Sequence, residues 1–157
     1  MEEIPIGELF EDCLRSSGSV LRDSGIALEM ILEDPWVKVR GDRQLLKAAL
    51  GNLITYAANH VRPGGRITLA YECDSMRESI TVCGDGNDID YDELRSLLDL
   101  FSRPGSRAMD NGGEINPRLV GLSIVRDVMD LHGGRVGLRK QEGEGLVYTM
   151  HLPRRCA

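Results

Sequence analysis

Hydrophobic positions along the chain repeat with two periods, one typical of helices and one typical of strands. The helical period predicts helices over residues 7–23, 42–61, 91–98 and 119–132. Alternation of apolar and polar residues predicts strands over residues 26–32, 36–39, 66–73, 78–83, 135–139 and 146–152, with a short edge strand at Ile4-Pro5-Ile6. This order predicts an α+β fold, a two-layer sandwich in which helices cover a mixed, mostly antiparallel sheet.

The charge balance excludes some classes of partner. The 157 residues include 19 Lys+Arg and 25 Asp+Glu, a net charge of −6, so a surface that binds nucleic acid phosphates is not expected. No stretch reaches the roughly 18 consecutive apolar residues of a membrane helix, and Met1-Glu2-Glu3 is unlike the basic start of a signal peptide. We therefore expect one domain over residues 1–157, in the cytoplasm, with no direct membrane contact.

Cysteine and histidine spacing gives no metal-binding pattern. The four cysteines are Cys13, Cys73, Cys83 and Cys156. They contain no C-x-x-C pair and no neighbouring histidine, so we expect reduced, mostly buried thiols rather than a zinc site. His60 and His132 each lie near the end of a predicted helix, where a positive charge interacts favourably with the helix dipole.

Several short motifs occur in a fixed order along the chain. They are Gly41-Asp42, Asn52-Leu53-Ile54, Val120-Gly121-Leu122-Ser123-Ile124-Val125-Arg126, His132-Gly133-Gly134 and His151-Leu152-Pro153. In type and order they resemble the ATP-binding catalytic domain of bacterial sensor histidine kinases, over residues 4–153. The resemblance implies the two-layer architecture known as the Bergerat fold, with a pocket for ATP and Mg²⁺.

The resemblance maps this ATP pocket onto eight positions of the chain. They are Asn52, Tyr56, Asn59, His60, Asp85, Gly86, Gly121 and Leu122. In the family, an Asn on the helix binds Mg²⁺, an Asp at a strand end reads adenine, and glycines at a helix start let backbone N–H groups reach phosphate. No catalytic residue and no metal ligand of this chain is assigned by the resemblance. The phosphorylated His of the family lies on a separate domain.

Six positions depart from the motifs of the family. They are Tyr56 for the Mg²⁺-binding Asn, Asn59 for a basic residue, Gly84 for the adenine-reading Asp, Asp88 for a glycine, and Pro117 and Leu119 for two phosphate-loop glycines. A phenol is a poor Mg²⁺ ligand at neutral pH, Gly84 offers adenine no acceptor, and Leu119 adds a side chain where backbone must approach. We therefore predict a vestigial pocket without a cofactor. If the pocket functions, the cofactor is Mg·ATP.

Neighbouring residues leave ATP binding open as an alternative. A register slip would bring Asp85 toward adenine, although neighbouring residues of a strand point to opposite faces. Asn59 lies one helical turn beyond Tyr56. Asn52 also has a structural interpretation, as a hydrogen bond between a helix and a strand.

Three functions are consistent with these patterns. The first is a pseudokinase-type domain that acts through contacts with the dimerisation and phosphoacceptor domain of a histidine kinase and with a response regulator. Its docking surface would include residues 91–98, Leu100-Phe101 and the aperiodic segment 102–117, a predicted surface loop. The second is an active ATP-binding domain that phosphorylates a His on a separate domain, and the third is an anti-sigma-factor-type serine kinase. A cytoplasmic protein, or the cytoplasmic part of a membrane-attached sensor, fits both histidine kinase interpretations.

Overall fold

The computed structural model describes residues 1–85, 89–102, 117–141 and 145–154. Its helices are α1 (Ile6–Asp23), α2 (Arg43–Ala58), α3 (Tyr91–Ser102) and α4 (Pro117–Leu131). Its strands are β1 (Glu2–Pro5), β2 (Ala27–Ile31), β3 (Lys38–Gly41), β4 (Arg66–Cys73), β5 (Arg77–Gly84), β6 (Arg135–Gln141) and β7 (Gly145–Pro153). Most of the predicted loop 102–117, with Gly86, Asp88 and Cys156, lies outside the described residues.

The described strands form one sheet of five strands and one of two. The large sheet has the order β2-β4-β5-β7-β6, in which β2 runs parallel to β4 and every other pair is antiparallel. β1 and β3 form the antiparallel two-stranded sheet. α2 and α4 pack on one face of the large sheet, whose inward side chains include the fully buried Ile67, Leu69, Ile80, Val82 and Tyr148. The predicted α+β sandwich is confirmed.

α2 lies between α1 and α4 and carries the central apolar stripe of the core. Its N-terminus is capped by Asp42, whose Oδ1 accepts a hydrogen bond from the Leu45 backbone N–H at 3.0 Å. The helix ends at Ala58, earlier than the predicted end at residue 61. The next two N–H groups, of Asn59 and His60, donate to the carbonyls three residues back, so the chain tightens out of the α-helix before Pro63.

Several other boundaries also differ from the sequence prediction, among them the following three. Ile6 begins α1 instead of ending a strand, with its side chain fully buried and its N–H, which lacks a partner within the helix, bonded to the Val37 carbonyl at 2.7 Å. Trp36 lies outside β3 with 75% of its surface exposed, since its N–H caps a turn on Asp34 Oδ1. α3 continues to Ser102 because core positions extend past the predicted end at residue 98.

The four cysteines do not all fit the buried thiols predicted from the sequence. Among the described residues, Cys13, Cys73 and Cys83 are free thiols, but only Cys13 is buried and Cys73 is exposed. Burial raises the pKa of the Cys13 thiol to about 12, so this group stays protonated at neutral pH.

His132 joins the end of α4 to the start of α2. Its Nε2 accepts a hydrogen bond from the Asp42 backbone N–H at 3.0 Å, so Nδ1 carries the proton and donates to the Val128 carbonyl at 2.7 Å. The ring is 4% exposed and touches Gly41, where a Cβ would lie 2.8 Å from Nε2. His132 thus lies at the end of α4, as the sequence predicted, and both of its ring nitrogens are hydrogen-bonded to backbone groups.

We expect His132→Ala to lower the free energy of unfolding by about 2–4 kcal/mol, because it removes two buried hydrogen bonds and leaves a cavity. Urea unfolding followed by circular dichroism measures the change. The matched control is Leu131→Ala, at a neighbouring position with 67% of its surface exposed, which should change stability by less than about 0.5 kcal/mol. Equal losses in the two variants would contradict the structural role of His132.

Candidate functional site

A buried polar cluster joins α2 to α3. The Tyr56 hydroxyl donates a hydrogen bond to the Glu93 carboxyl group, with 2.7 Å between Oη and Oε1. His60, one turn further along the chain, places Nε2 at 3.6 Å from the same oxygen. Only 8% of the His60 side chain and 9% of the Glu93 side chain are exposed. Because a carboxyl group removed from water is costly unless it is paired, these partners are what allow Glu93 to lie here.

Aromatic rings enclose this cluster. The centroid of the Tyr56 ring lies 5.0 Å from that of His60 and 6.0 Å from that of Tyr148, the latter pair in an edge-to-face arrangement. The His60 side chain is therefore buried beside Glu93, just beyond the end of α2. The Tyr148 hydroxyl is buried with no hydrogen-bond partner among the described residues. Burial, with a smaller contribution from Glu93, raises the pKa of Tyr148, so its phenol stays neutral.

β5 ends at Gly84, directly against the end of α2. A Cβ built on Gly84 would lie 3.2 Å from Val61 Cγ2 and 3.8 Å from the Ala57 Cβ. The position therefore faces apolar groups, and it carries no side-chain hydrogen-bond acceptor. A larger residue at position 84 would require Val61 to move by a few tenths of an ångström.

α4 closes the region on its other side. Asn52 Oδ1 lies 3.3 Å from the point that a Cβ on Gly121 would occupy, so the fold brings these two predicted pocket residues together. Asn52 thus contacts a helix, and a hydrogen bond from it to a strand is not among the described interactions. Leu119 and Leu122 are 1% and 0% exposed, so both side chains belong to the core.

Two further predicted pocket residues, Asp85 and Asn59, do not join this region. Asp85 is exposed and lines a cleft on the opposite face of the large sheet, together with Thr68 and Cys83. This placement follows from the alternation of side chains along β5. Asn59 is the exposed C-cap residue of α2. Gly86 lies outside the described residues.

The described part of the chain contains neither a metal-ligand cluster nor a membrane helix. Within residues 1–85, 89–102, 117–141 and 145–154, no three His, Cys, Asp or Glu side chains are grouped closely enough to hold a metal ion. No helix in these ranges combines the length and apolar composition that crossing a membrane requires.

The site lies between two helices and the sheet of a fold that sequence comparison assigns to a family. The sequence profile described as "Histidine kinase-, DNA gyrase B-, and HSP90-like ATPase" matches residues 41–155. The chain belongs to this family. Such an ATPase domain implies ATP as a ligand, usually with Mg²⁺. Together with the relatives described next, it places the chain among the ATPase domains of sensor histidine kinases.

Individual relatives of this ATPase domain are sensor kinases. The chain is 29% identical to methanogenesis regulatory histidine kinase FilI of Methanothrix harundinacea, over 97% of the chain and 16% of that protein. It is 30% identical to sensor protein DivL of Caulobacter vibrioides, over 98% of the chain and 19% of that protein. The chain therefore spans less than a fifth of either relative.

Solved histidine kinase domains share the fold. The nucleotide-free catalytic domain of histidine kinase ThkA matches with a TM-score of 0.77 at 23% identity, over 98% of this chain and 97% of that one. Mycobacterial sensor histidine kinase MprB matches with a TM-score of 0.70 at 24% identity, over 99% of both chains. At this identity the likeness establishes the architecture of the ATPase domain.

The sequence did not point to two members of the buried cluster, Glu93 and Tyr148. Glu93 lies in the acidic first turn of α3, where a carboxylate is ordinarily an exposed partner of the helix dipole. Tyr148 lies on an alternating strand, and its alternation with Thr149 indicates that it faces inward. No sequence signal pairs either residue with Tyr56, because the contacts join elements far apart in the chain.

We expect Tyr56→Phe to lower the free energy of unfolding by about 1–3 kcal/mol, because it leaves the buried Glu93 carboxyl group without its closest donor. The control is Tyr148→Phe, which removes a buried hydroxyl that lacks a partner and should be neutral or slightly stabilising. Both substitutions remove one oxygen from a buried ring, so urea unfolding compares them directly. A loss of stability in Tyr148→Phe as large as that in Tyr56→Phe would contradict the described hydrogen bonding.

Proposed function

We propose that this chain is a degenerate catalytic domain of a two-component sensor histidine kinase, which binds Mg·ATP weakly or not at all and acts through protein contacts in a phosphorelay. The observation that carries the proposal is the hydrogen bond from Tyr56 to Glu93. Tyr56 stands where the motif of the family has its Mg²⁺-binding Asn. The eight pocket positions identified from the sequence are, on this proposal, vestigial.

The Tyr56 side chain does not fit the role of a metal ligand. Mg²⁺ requires compact oxygen ligands in near-octahedral geometry, and the neutral phenol is a poor one. The Tyr56 hydroxyl is already bonded to Glu93, and 4% of the residue is exposed. Turning the ring toward a metal would break this bond and leave Glu93 short of a partner, at a cost of about 1–3 kcal/mol.

The positions expected to contact adenine and phosphate are also unsuited to a nucleotide. Gly84 has no acceptor for the adenine amino group, and its neighbours Val61 and Ala57 are apolar. Leu119 stands in place of a phosphate-loop glycine, and its side chain fills the core beneath α4. The changes at positions 56, 84 and 119 affect separate contacts, with Mg²⁺, adenine and phosphate. Their costs in binding free energy therefore add up.

Exposed apolar side chains on α3 and α4 support a role in protein contacts. Tyr91 and Leu98 on α3 are 72% and 45% exposed, and Val120 and Ile124, one turn apart on α4, are 43% and 44% exposed. Large apolar residues grouped on neighbouring helices are typical of a protein-binding surface. Histidine kinase ThkA, whose fold this chain shares, has been solved in complex with response regulator protein TrrA.

The proposed partners follow from this surface and from the family. They are the dimerisation and phosphoacceptor domain of a histidine kinase and a response regulator. Residues 1–157 would then act as a single catalytic-type domain in the cytoplasm, alone or as part of a membrane-attached sensor, with no nucleic acid partner and no direct membrane contact.

A second candidate function is an active ATP-binding domain that phosphorylates a His on a separate domain. The observation that favours it is the contact between Asn52 and Gly121, which keeps two positions of the family's pocket side by side. Asp85 does not favour it, because this residue is exposed and lines the opposite face of the sheet.

Isothermal titration of the 157-residue chain with Mg·ATP distinguishes the two functions. We expect no saturable heat at nucleotide concentrations up to about 1 mM. The loss of binding free energy at three contacts would raise a micromolar dissociation constant to about this concentration or above it. A dissociation constant in the micromolar range would overturn the proposed degeneracy and favour the ATP-binding alternative.

Restoring the family's residues tests the alignment of the pocket. We expect the variant Tyr56→Asn, Gly84→Asp and Leu119→Gly to gain at least tenfold in affinity for Mg·ATP over the unchanged chain. Addition of Val61→Ala relieves the close contact at position 84. Circular dichroism confirms that each variant folds, and a folded variant with no gain would contradict the assignment of these positions.

A further inference from the structure

The face of the large sheet that points away from α2 and α4 contains a polar cleft. Its floor is formed by the hydroxyl side chains of Ser79, Thr81 and Thr149, on the two central strands β5 and β7. The cleft has a volume of about 500 Å³, which accommodates a small organic molecule. It lies on the other side of the sheet from the Tyr56 cluster, and only Leu98, at its rim, also belongs to the apolar surface of the proposed function.

Two arginines of β6 line one side of the cleft. Arg135 and Arg139 are four residues apart on the same face of the strand. Both are exposed, and neither forms an ion pair with any described residue. Although the net charge of the chain is −6, this cleft has two guanidinium groups beside it that no described carboxylate neutralises. Guanidinium groups bind phosphate and carboxylate with two parallel N–H donors each.

His151 adds a third donor between these arginines. Its Nδ1 lies 3.1 Å from Ser79 Oγ, and when the hydroxyl donates to Nδ1 the proton of the neutral ring is on Nε2. Nε2 lies 3.8 Å from the point that a Cβ on Gly137 would occupy. Gly137 is the residue midway between Arg135 and Arg139, so the N–H of His151 lies over a gap in the side chains of β6.

Burial and the charged groups around His151 favour its neutral ring in the absence of a ligand. Burial, followed by Arg77 and Arg135, lowers the pKa of His151, and Asp74 opposes them weakly. Glu72 and Arg139 are the other charged groups that line the same cleft. An anion bound between the arginines would offset their effect and favour the protonated ring, whose Nδ1 can donate to Ser79 in turn.

The opposite sides of the cleft define the rest of a ligand. Glu72 stands across the sheet on β4 and accepts hydrogen bonds, and Leu98 and Phe101 of α3 provide an apolar wall. Inorganic phosphate would fill only part of about 500 Å³. The cleft thus matches a molecule with an anionic group at one end and a donor group at the other.

We propose that this cleft binds a small phosphomonoester that also carries a hydrogen-bond donor, with the phosphate held by Arg135, Arg139 and His151 over Gly137 and the donor group held by Glu72. The phosphate contacts supply most of the affinity. The hydrogen bond to Glu72 makes such a compound bind more tightly than inorganic phosphate. This site is independent of whether the chain binds ATP.

Nuclear magnetic resonance of the ¹⁵N-labelled 157-residue chain tests the site, with O-phosphoethanolamine and inorganic phosphate as probes. Saturable shifts at Arg135, Gly137 and His151 are expected with both probes, and O-phosphoethanolamine should bind at least about tenfold more tightly. Absence of saturable shifts, or equal affinities for the two probes, would overturn the proposal. Shifts confined to α2 and α4 would place the phosphate in the ATP pocket and would also overturn it.

Variants locate the contacts. The double variant Arg135→Gln, Arg139→Gln should bind both probes at least about tenfold more weakly. The control Lys140→Gln, on the same strand but outside the cleft, should leave both affinities unchanged. Gly137→Val should abolish binding by filling the gap under His151, without disturbing a strand position. Glu72→Gln should weaken O-phosphoethanolamine and leave inorganic phosphate unchanged. If Lys140→Gln lost as much affinity as the double arginine variant, binding would depend only on the overall positive charge of β6, which would contradict the proposal.

Titration of the His151 imidazole provides a second readout. The pKa of His151 should rise by about one unit or more when the cleft is saturated with O-phosphoethanolamine. In Arg135→Gln the unliganded pKa should already be higher than in the unchanged chain, because one of the charges that lowers it is removed. An unchanged pKa in the saturated protein would contradict the placement of the phosphate beside this ring.

Discussion

A carboxyl group buried between two helices constrains the rest of the site. Glu93 of α3 has lost nearly all contact with water, and a group of this kind is tolerated only with hydrogen-bonding partners. Tyr56 provides the closest one, and His60 lies beside it. This pairing links α3, which packs on β6 and α4, to α2, and the Tyr56 ring points into the protein, where it packs on Tyr148. On the proposed alignment, Tyr56 stands in place of the family's Mg²⁺-binding Asn.

The two faces of the large sheet serve different purposes in this account. On the inner face the helices bury the apolar side chains, and His132 connects the end of α4 to the start of α2 so that the two helices keep their relative position. On the outer face the strands carry short polar side chains, with Arg135 and Arg139 at one side. Gly84 and Asp85 illustrate this difference between the faces. Gly84 faces the end of α2, and Asp85, the next residue, lies on the outer face.

Most of the fold and part of the site were predictable from the sequence, whereas Glu93 and Tyr148 of the buried cluster were not. The stripe of α2, its Asp42 cap and the alternation of β4 and β5 are local signals, and each predicted element appears in the structure. Boundaries differed by a few residues, as at Ile6, which begins α1 rather than ending a strand. The pairing of Tyr56 with Glu93 joins residues 37 positions apart, and no periodicity reports such a contact. The substitution at position 56 was visible in the sequence, but the partner that it acquired was not.

The most direct test of the account is whether a metal–nucleotide complex approaches position 56. Paramagnetic relaxation by Mn·ATP, added at millimolar concentration to the ¹⁵N-labelled chain, reports distance to each backbone amide. We expect the backbone amide signals of α2 to broaden no more with Mn·ATP than with Mn²⁺ alone. Strong broadening centred on Asn52 and Tyr56, relieved by excess Mg·ATP, would show that a metal–nucleotide complex binds there and would contradict the proposed degeneracy.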